Sequence, residues 1–139
     1  MIIDATNLIL GRLGTYAAKK ALLGEKIDIV NCENCVITGD RDRILQDYDT
    51  KLKRGIHAKG PFMRRMPDRF VKRAIRGMLP YKKERGRAAF KSIKCYIGVP
   101  EDLKNKKFDI IDNANVEKVP NLKYMKIKDI CIHIGAKLQ

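Results

Sequence analysis

The residues most capable of chemistry in this sequence are clustered arginines and lysines, which bind phosphate. Residues 51–94 contain 16 basic side chains and only two acids, Asp68 and Glu84. Residues 1–50 contain six basic and eight acidic side chains, and residues 95–139 contain eight and six. The whole formal charge of +14 therefore lies in one third of the chain. Because solubilising charge is normally mixed in sign and spread over the surface, this distribution favours a polyanionic partner such as nucleic acid.

The basic side chains that we expect to contact nucleic acid follow one another along the middle of the chain. Arginine and lysine pair with phosphates, while Gly55, Gly60 and Gly86 would let the backbone approach a nucleic-acid surface. Phe62 and Tyr81 either stack on unpaired bases or pack within their loops, and the sequence favours neither. The candidate binding residues are Arg12, Arg54, His57, Lys59, Arg64, Arg65, Arg69, Lys72, Arg73, Arg76, Lys82, Lys83, Arg85 and Arg87.

The motif Cys32-x-x-Cys35 has the spacing of a zinc or redox site. A structural zinc needs four ligands, usually two such pairs, but the other two cysteines are isolated and neither histidine belongs to a ligand motif. A redox motif typically opens a helix, whereas the residues between these cysteines suggest a turn between extended segments. We therefore predict buried, unpaired thiols and no metal or cofactor.

Two further features resemble parts of enzyme sites. Gly11-Arg12-Leu13-Gly14 follows a predicted strand and opens a predicted helix, as phosphate-binding turns do, but it matches neither established glycine-rich motif. Close packing of the helix on the sheet is the favoured interpretation. Asp4 lies at a strand end with no histidine or second acid near it in the sequence, and Asp109 and Asp112 lie in a loop of mixed charge. Since nothing assembles a nucleophile, a base and an orienting group, we predict no enzyme and no small-molecule substrate.

The elements that must position the basic residues follow from hydrophobic periodicity. The first 30 residues predict strand, helix and strand, which favours a parallel, right-handed crossover. Two basic loops, 53–66 and 81–87, flank a helix that begins at Pro67 and ends before Pro80. Its apolar residues lie on one face and its basic residues mostly on the other. Further elements are predicted as a helix from about residue 40 to Leu52, strands at 93–97 and 124–127, and a terminal helix through Ile130, Ile134 and Leu138.

Length and composition fit one soluble domain covering residues 1–139, with the nucleic-acid-binding part at about 53–91. The chain has 139 residues, 45% of them hydrophobic, which is enough for a single core. No stretch approaches the roughly 20 consecutive apolar residues that a membrane-spanning helix needs. The N-terminus has no basic region followed by an apolar stretch. We therefore expect a cytoplasmic protein without a membrane partner.

Several of these segments resemble one known family. The run Arg76-Gly77-Met78-Leu79-Pro80-Tyr81-Lys82-Lys83-Glu84-Arg85-Gly86-Arg87 is similar to the signature of the large-subunit ribosomal protein L13 family in its archaeal and eukaryotic form. Asp4-Ala5 with Leu8-Ile9-Leu10-Gly11-Arg12-Leu13 resembles that family's opening strand and helix, and Val36-Ile37-Thr38-Gly39 resembles the entry to its second helix. The likeness is weakest over residues 101–119.

The resemblance implies a three-layer α/β fold with a mainly parallel four-stranded sheet. It also implies binding to large-subunit ribosomal RNA, neighbouring ribosomal proteins as partners, and a part in early subunit assembly and translation. The family motif supports Arg73, Arg76, Lys82, Lys83, Arg85 and Arg87 as RNA-binding residues, with Arg12 as an addition, while Lys59, Arg64 and Arg65 rest on charge. The chain departs from the family pattern at Gly14, where alanine is expected, and at Tyr81, where histidine is common. Cys32 and Cys35 are not part of that pattern.

Three other classes of function stay open at this point. A nucleotide-using enzyme would bind phosphate through residues 11–14 and would be stabilised by free nucleotide. A small zinc module would contain stoichiometric metal and would unfold with a chelator. A general DNA-binding protein would show no preference for structured RNA.

Overall fold

The computed structural model describes residues 1–120 and 123–138 and shows an α/β fold. The strands are β1 (Ile2–Asp4), β2 (Ile27–Val30), β3 (Val36–Thr38), β4 (Ile93–Cys95) and β5 (Tyr124–Lys126). The helices are α1 (Leu10–Leu22), α2 (Arg41–Lys53), α3 (Pro67–Met78), α4 (Glu84–Lys91), α5 (Glu101–Lys104) and α6 (Ile127–His133). None of the described helices is both long enough and apolar enough to cross a membrane.

The main sheet consists of parallel strands in the order β1-β2-β4. The central strand β2 has Ile27, Ile29 and Val30 fully buried, as expected for a parallel strand covered on both sides. Strands β3 and β5 form a separate antiparallel pair. Beside β1 there is one parallel bridge, between Ile3 and Asp109, in place of a longer strand. The predicted α/β class with a parallel sheet is confirmed, but the four-stranded sheet and the three-layer arrangement are not.

Helix α1 connects β1 to β2 and packs against α3. The helix predicted between these strands is confirmed, and its residues Leu13 and Ala17 are fully buried. A Cβ atom at Gly14 would lie 2.8 Å from the Met78 sulfur on α3, so this glycine serves helix–helix contact rather than the predicted contact with the sheet. Because the Met78 side chain is flexible and 41% exposed, an alanine at position 14, as the family pattern has it, could be accommodated.

The prediction of a second basic loop over residues 81–87 is wrong for the second half of that range. Helix α4 begins at Glu84, so Arg85 and Arg87 lie on a helix rather than in a loop. Residues 85–91 include several good helix formers, namely the arginines, alanines and lysine of Arg-Gly-Arg-Ala-Ala-Phe-Lys. The prediction of a loop rested on Gly86, which lies within the helix. In the structure Gly86 is buried against the backbone of Pro80, where a side chain would collide. The glycine thus allows the turn before α4 to fold back on the helix.

The remaining elements agree with the sequence in kind but differ in extent. The first basic loop contains no helix over residues 54–66, as predicted, and is closed on itself by a bridge between Ile56 and Gly60. Helix α2 ends at Lys53, close to the predicted Leu52. The terminal helix is shorter than predicted, because α6 stops at His133 and Gly135 follows with a φ of +90°. Leu138 therefore lies beyond the helix.

Candidate nucleic-acid interface

Five basic side chains and two phenylalanines line a surface groove of about 610 Å³, which we call the basic groove. Four of the basic residues lie on α3, one lies in the loop before it, and the two aromatic rings come from that loop and from α4. The lining residues are Phe62, Arg64, Arg69, Lys72, Arg73, Arg76 and Phe90. We refer to its four arginines, at positions 64, 69, 73 and 76, as the groove arginines.

Helix α3 holds these cations in place because its opposite face is anchored in the core. Positions 69, 72, 73 and 76 recur at the spacing of one helical face. On the other side Phe70 is buried and Val71 and Ile75 are fully buried. Pro67 occupies the first turn, where its missing N–H costs no helical hydrogen bond. The predicted amphipathic helix with an outward basic ridge is thereby confirmed.

Arg73 links the basic groove to a second group of basic residues. Its Nη1 donates a hydrogen bond to the backbone oxygen of Phe62 at 3.1 Å, which ties the 54–66 loop to α3. Arg73 also lines two smaller depressions, which it shares with Lys51 and, in one of them, Arg54. The basic surface therefore continues from the groove to the C-terminal end of α2.

The cations of the groove form no ion pair with a carboxylate among residues 1–120 and 123–138. In the part of the chain that the structure describes, the ion pairs are Lys20–Glu25 and His133–Asp49, and neither involves a groove residue. No acidic side chain lines the groove, although Asp68 and Glu84 are close in sequence. Five unpaired cations around one concave surface produce a strong positive potential, which attracts polyanions.

Comparison with known proteins decides the family. The family model for ribosomal protein L13 matches residues 1–102. The large ribosomal subunit protein uL13 of Archaeoglobus fulgidus is 43% identical over 135 residues, which cover 96% of this chain and 86% of that protein. The uL13 proteins of Methanococcoides burtonii and Methanosarcina barkeri are 39% and 43% identical, each covering 98% of both chains.

The chain belongs to the ribosomal protein L13 family. This confirms the resemblance drawn from the sequence, and with it the prediction that the chain is a structural protein and not an enzyme. The match to the L13 family model contains the whole basic groove, since all of its lining residues lie between positions 62 and 90. The full-length archaeal relatives extend the similarity over α6.

Other candidate residues lie outside the groove. Arg54, His57 and Lys59 are exposed on the 54–66 loop, and Lys82, Lys83, Arg85 and Arg87 are exposed around the start of α4. Arg85 and Arg87 direct Nη2 at the backbone oxygens of Leu22 and Lys82, each at 3.5 Å.

Two candidates point elsewhere. The Arg65 guanidinium lies beside Gly135, after α6, so the structure separates it from Arg64. Arg12 donates from Nη1 to the Asn113 backbone oxygen at 2.9 Å and lines a separate depression with Lys118. The structure therefore brings together five of the fourteen candidates in one groove and distributes the others around it.

Lys51 and Phe90 contribute to this surface but are absent from the residues named from the sequence. Lys51 is exposed, and its Nζ lies 4.5 Å from the centre of the Tyr48 ring. Phe90 is half-buried, and the Lys72 Nζ lies 5.1 Å from its ring centre. Only the general excess of positive charge from residue 51 onward pointed to Lys51. Phe90 could not be identified without knowing that α4 brings its ring next to Lys72 of α3.

Gly55, Gly60 and Gly86 each have close contacts within the protein, and the predicted close approach of nucleic acid at these glycines stays a prediction. A side chain at Gly55 would collide with Gly60 and Pro61, and one at Gly86 with Pro80. Gly60 has a φ of +86°, and a Cβ atom there would lie 3.1 Å from the Phe62 ring. Each glycine thus has an intramolecular role in folding the loops.

The Cys32-x-x-Cys35 motif lies in the core. The Cys35 thiol donates to the Leu8 backbone oxygen at 3.1 Å, and burial raises the pKa of Cys35 to about 12. The neighbouring Cys95 thiol and burial raise the pKa of Cys32 as well. Across residues 1–120 and 123–138, no three histidine, cysteine or acidic side chains converge as metal ligands. Because the thiolate is the form that binds metal and reacts, both cysteines are held in the inert form.

Alkylation should show this directly. We expect Cys32 and Cys35 to resist iodoacetamide at pH 8 in the folded protein and to react once the protein is unfolded, because both are buried and protonated. Cys95, which is partly exposed, serves as the internal control and should be labelled first. Mass spectrometry of peptides after timed quenching gives the order. Labelling of Cys35 as fast as that of Cys95 would contradict this assignment.

Asp4, considered above as a strand-end carboxylate, has a structural role. It accepts hydrogen bonds from the Thr6 hydroxyl at 2.7 Å, the Thr6 backbone N–H at 3.0 Å and the Asn31 side-chain amide at 3.0 Å. Asn31 has a φ of +55°, so this contact fixes an unusual backbone conformation directly after β2. Burial raises the pKa of Asp4, but the hydrogen bonds from Asn31 and Thr6 outweigh it and leave the pKa below the ordinary 3.8.

We expect Asp4→Ala to lower the free energy of unfolding by about 1–2 kcal/mol at neutral pH, through loss of these hydrogen bonds. A depressed pKa in the folded state means that the stabilisation is complete above pH 3.8 and is lost as the pH falls through the lower folded value. Urea unfolding at pH 7 and near pH 2 should therefore show the variant and the parent converging in acid. Asp4→Asn, which keeps the shape, should retain part of the stability. An equal difference at both pH values would disprove the role of the carboxylate.

Proposed function

We propose that this protein is a structural component of the large ribosomal subunit and binds large-subunit ribosomal RNA through the basic groove. The observation that supports this most strongly is the set of five unpaired cations on one anchored surface, within a chain of the ribosomal protein L13 family. The relatives are named as large ribosomal subunit proteins. We further propose that the protein contacts neighbouring ribosomal proteins and acts on the ribosome in the cytoplasm. Its role there is to support early subunit assembly and translation.

The proposed mechanism is electrostatic clamping of folded RNA. Groove arginines and Lys72 bind backbone phosphates, and the exposed cations on the 54–66 loop and around α4 extend the contact beyond both sides of α3. If the surface covers on the order of 6–10 phosphates, affinity falls about 10³–10⁵-fold between low and moderate salt. Phosphate contacts fix position, while RNA shape supplies most of the selectivity, because paired RNA hides its base edges in a narrow groove.

The functional proposal is tested by competition between nucleic acids of equal charge. Labelled large-subunit rRNA domains are bound at one salt concentration, with small-subunit rRNA fragments and duplex DNA as competitors. We expect one large-subunit domain to resist both competitors. Displacement of every large-subunit domain by both competitors would reduce the protein to a general polyanion binder and overturn the proposal.

The part played in assembly is tested by reconstitution. Large subunits are rebuilt from rRNA and purified proteins with this protein present, omitted, or replaced by a variant that lacks the groove arginines. We expect omission and the variant to stall assembly at the same early particle. Complete subunits formed at normal rate without the protein would exclude a role in early assembly.

A further inference from the structure

Two phenylalanine rings lie among the phosphate-binding cations of the basic groove, and phosphate binding alone does not explain them. Phe62 is 68% exposed in the 54–66 loop, where Ile56 is the other strongly exposed large apolar side chain, and Phe62 is the one of the two that lines the groove. Phe90 lines the same groove from α4 and also packs against the hydrophobic core, so Phe62 is the ring that the fold leaves without such a contact. Exposing a large aromatic ring to water is unfavourable, so an aromatic ring in a cationic groove suggests a ligand that has both an anionic and an apolar part.

The backbone at Phe62 is attached to α3 in the absence of any ligand. Its backbone oxygen accepts the hydrogen bond from Arg73 at 3.1 Å, which attaches this part of the loop to α3. One edge of the ring lies over Gly60, where any side chain would approach the ring atoms to 3.1–3.2 Å. The loop thus presents the ring to the groove beside Arg73.

The groove has the size and charge of a nucleotide site. Its volume of about 610 Å³ lies within the range of about 300–1,000 Å³ that is usual for small-ligand pockets. An A-form duplex presents phosphates and sugars on its outside and would leave the aromatic rings unused. An unpaired nucleotide supplies a flat base for the ring and a phosphate for the arginines, and its flanking phosphates reach the remaining cations.

We infer that the basic groove binds an unpaired nucleotide of the RNA, with its base stacked on Phe62 and its phosphate held by Arg73 and the other groove cations. This base site rests on the RNA binding proposed above and adds selectivity for a bulged or looped-out nucleotide. In the same groove the Lys72 Nζ lies 5.1 Å from the Phe90 ring centre, so a second cation lies next to an aromatic ring.

The decisive comparison uses two strands of equal charge, one with bases and one without. A short oligoadenylate and an abasic ribose-phosphate strand of the same length are bound to the full-length protein and to Phe62→Ala, Phe62→Trp and Ile110→Ala variants. Ile110 is 82% exposed and lies outside the groove, so its variant controls for loss of an apolar side chain. Base–aromatic stacking predicts that the parent protein binds the oligoadenylate about ten-fold more tightly than the abasic strand.

The outcomes separate the base site from the clamp. Loss of the ten-fold preference in Phe62→Ala, with retention in Phe62→Trp and Ile110→Ala, is the expected result. Equal, salt-dependent binding of both strands by the parent protein would overturn the base site and leave the phosphate clamp standing. Failure to bind either strand or structured rRNA in a salt-dependent way would overturn both. If Phe62→Ala kept the full preference for the oligoadenylate over the abasic strand, the assignment of stacking to Phe62 would be overturned. Tighter binding of an acidic peptide than of RNA would overturn it as well.

Discussion

Replacing all four groove arginines by alanine should weaken binding to large-subunit rRNA by roughly 10³-fold at about 0.1 M salt. Each phosphate contact contributes about 0.7–0.9 to the slope of log affinity against log salt, so four lost contacts should flatten the slope by roughly 3. The electrostatic part of the affinity vanishes at about 1 M salt, and 0.1 M lies one decade below that. A slope smaller by roughly 3 therefore lowers the affinity at 0.1 M by about three decades. Filter binding or fluorescence anisotropy over a salt series measures both quantities together.

The control for this variant removes the same charge elsewhere. Lys19, Lys104, Lys106 and Lys107 are exposed and line no part of the basic groove. We expect their fourfold replacement by alanine to leave the salt slope almost unchanged, because long-range attraction is largely screened beyond about 10 Å. Equal loss of affinity in both variants would mean that net charge, rather than the groove, determines binding. Since the groove arginines are exposed, circular dichroism should show both variants folded.

The second large effect is expected at Gly86, where one methyl group should disturb both stability and binding. A Cβ atom at this position would collide with the backbone of Pro80, which cannot rotate away as a side chain can. Overpacking of this kind costs about 2–3 kcal/mol, which corresponds to a melting temperature lower by roughly 6–10 °C in a domain of this size. Because α4 also carries Phe90, its displacement should deform one wall of the basic groove and weaken RNA binding.

Gly77→Ala provides the matched control. Gly77 lies on α3, and a Cβ atom there would have no neighbour within 4 Å. The same substitution should therefore raise stability by about 0.5–1 kcal/mol, since alanine restricts the unfolded chain and favours the helix. Thermal unfolding followed by calorimetry compares the two directly. A Gly86→Ala protein as stable as Gly77→Ala would show that the turn before α4 can move, and that its close contact is not required.

Much of the fold follows from apolar periodicity in the sequence. Helices α1 and α3 were predictable because each has a clear apolar stripe, and Pro67 marks the start of α3. Strand β2 was predictable because Ile27, Ile29 and Val30 form a short apolar run. The parallel arrangement of β1 and β2 followed from the strand–helix–strand order.

The errors share a physical cause, which is that local signals were overridden by tertiary contacts. A glycine among basic residues is typical of a loop, yet Gly86 lies in a helix. It is needed there because the backbone of Pro80 leaves no room for a side chain. Leu138 continues the spacing of Ile130 and Ile134, but Gly135 has already left the helix. The shape of the main sheet depends on pairing between distant segments, such as Ile3 with Asp109, which no local pattern encodes.

The sequence predicted the chemistry of the candidate site better than it predicted which residues line it. Segmental charge identified the region, and helical spacing placed Arg69, Arg73 and Arg76 on one face of α3. Which loop residues join them depends on backbone contacts, so neighbours in the sequence can separate: Arg64 lines the groove while Arg65 turns toward Gly135. Lys51 joins the basic surface because α2 places it near Arg73, and a count of charges along the sequence does not give that position.

Ultraviolet cross-linking of purified ribosomes, followed by mass spectrometry of RNA-bearing peptides, tests the central claim most directly. It reports contacts of the natural protein in its natural complex and needs no variant. We predict that cross-linked peptides from this protein concentrate in residues 54–91, with Phe62 or Tyr81 among the modified positions. Cross-links confined to residues 1–50 and 95–138, with none from the basic groove, would contradict the claim that this surface binds ribosomal RNA.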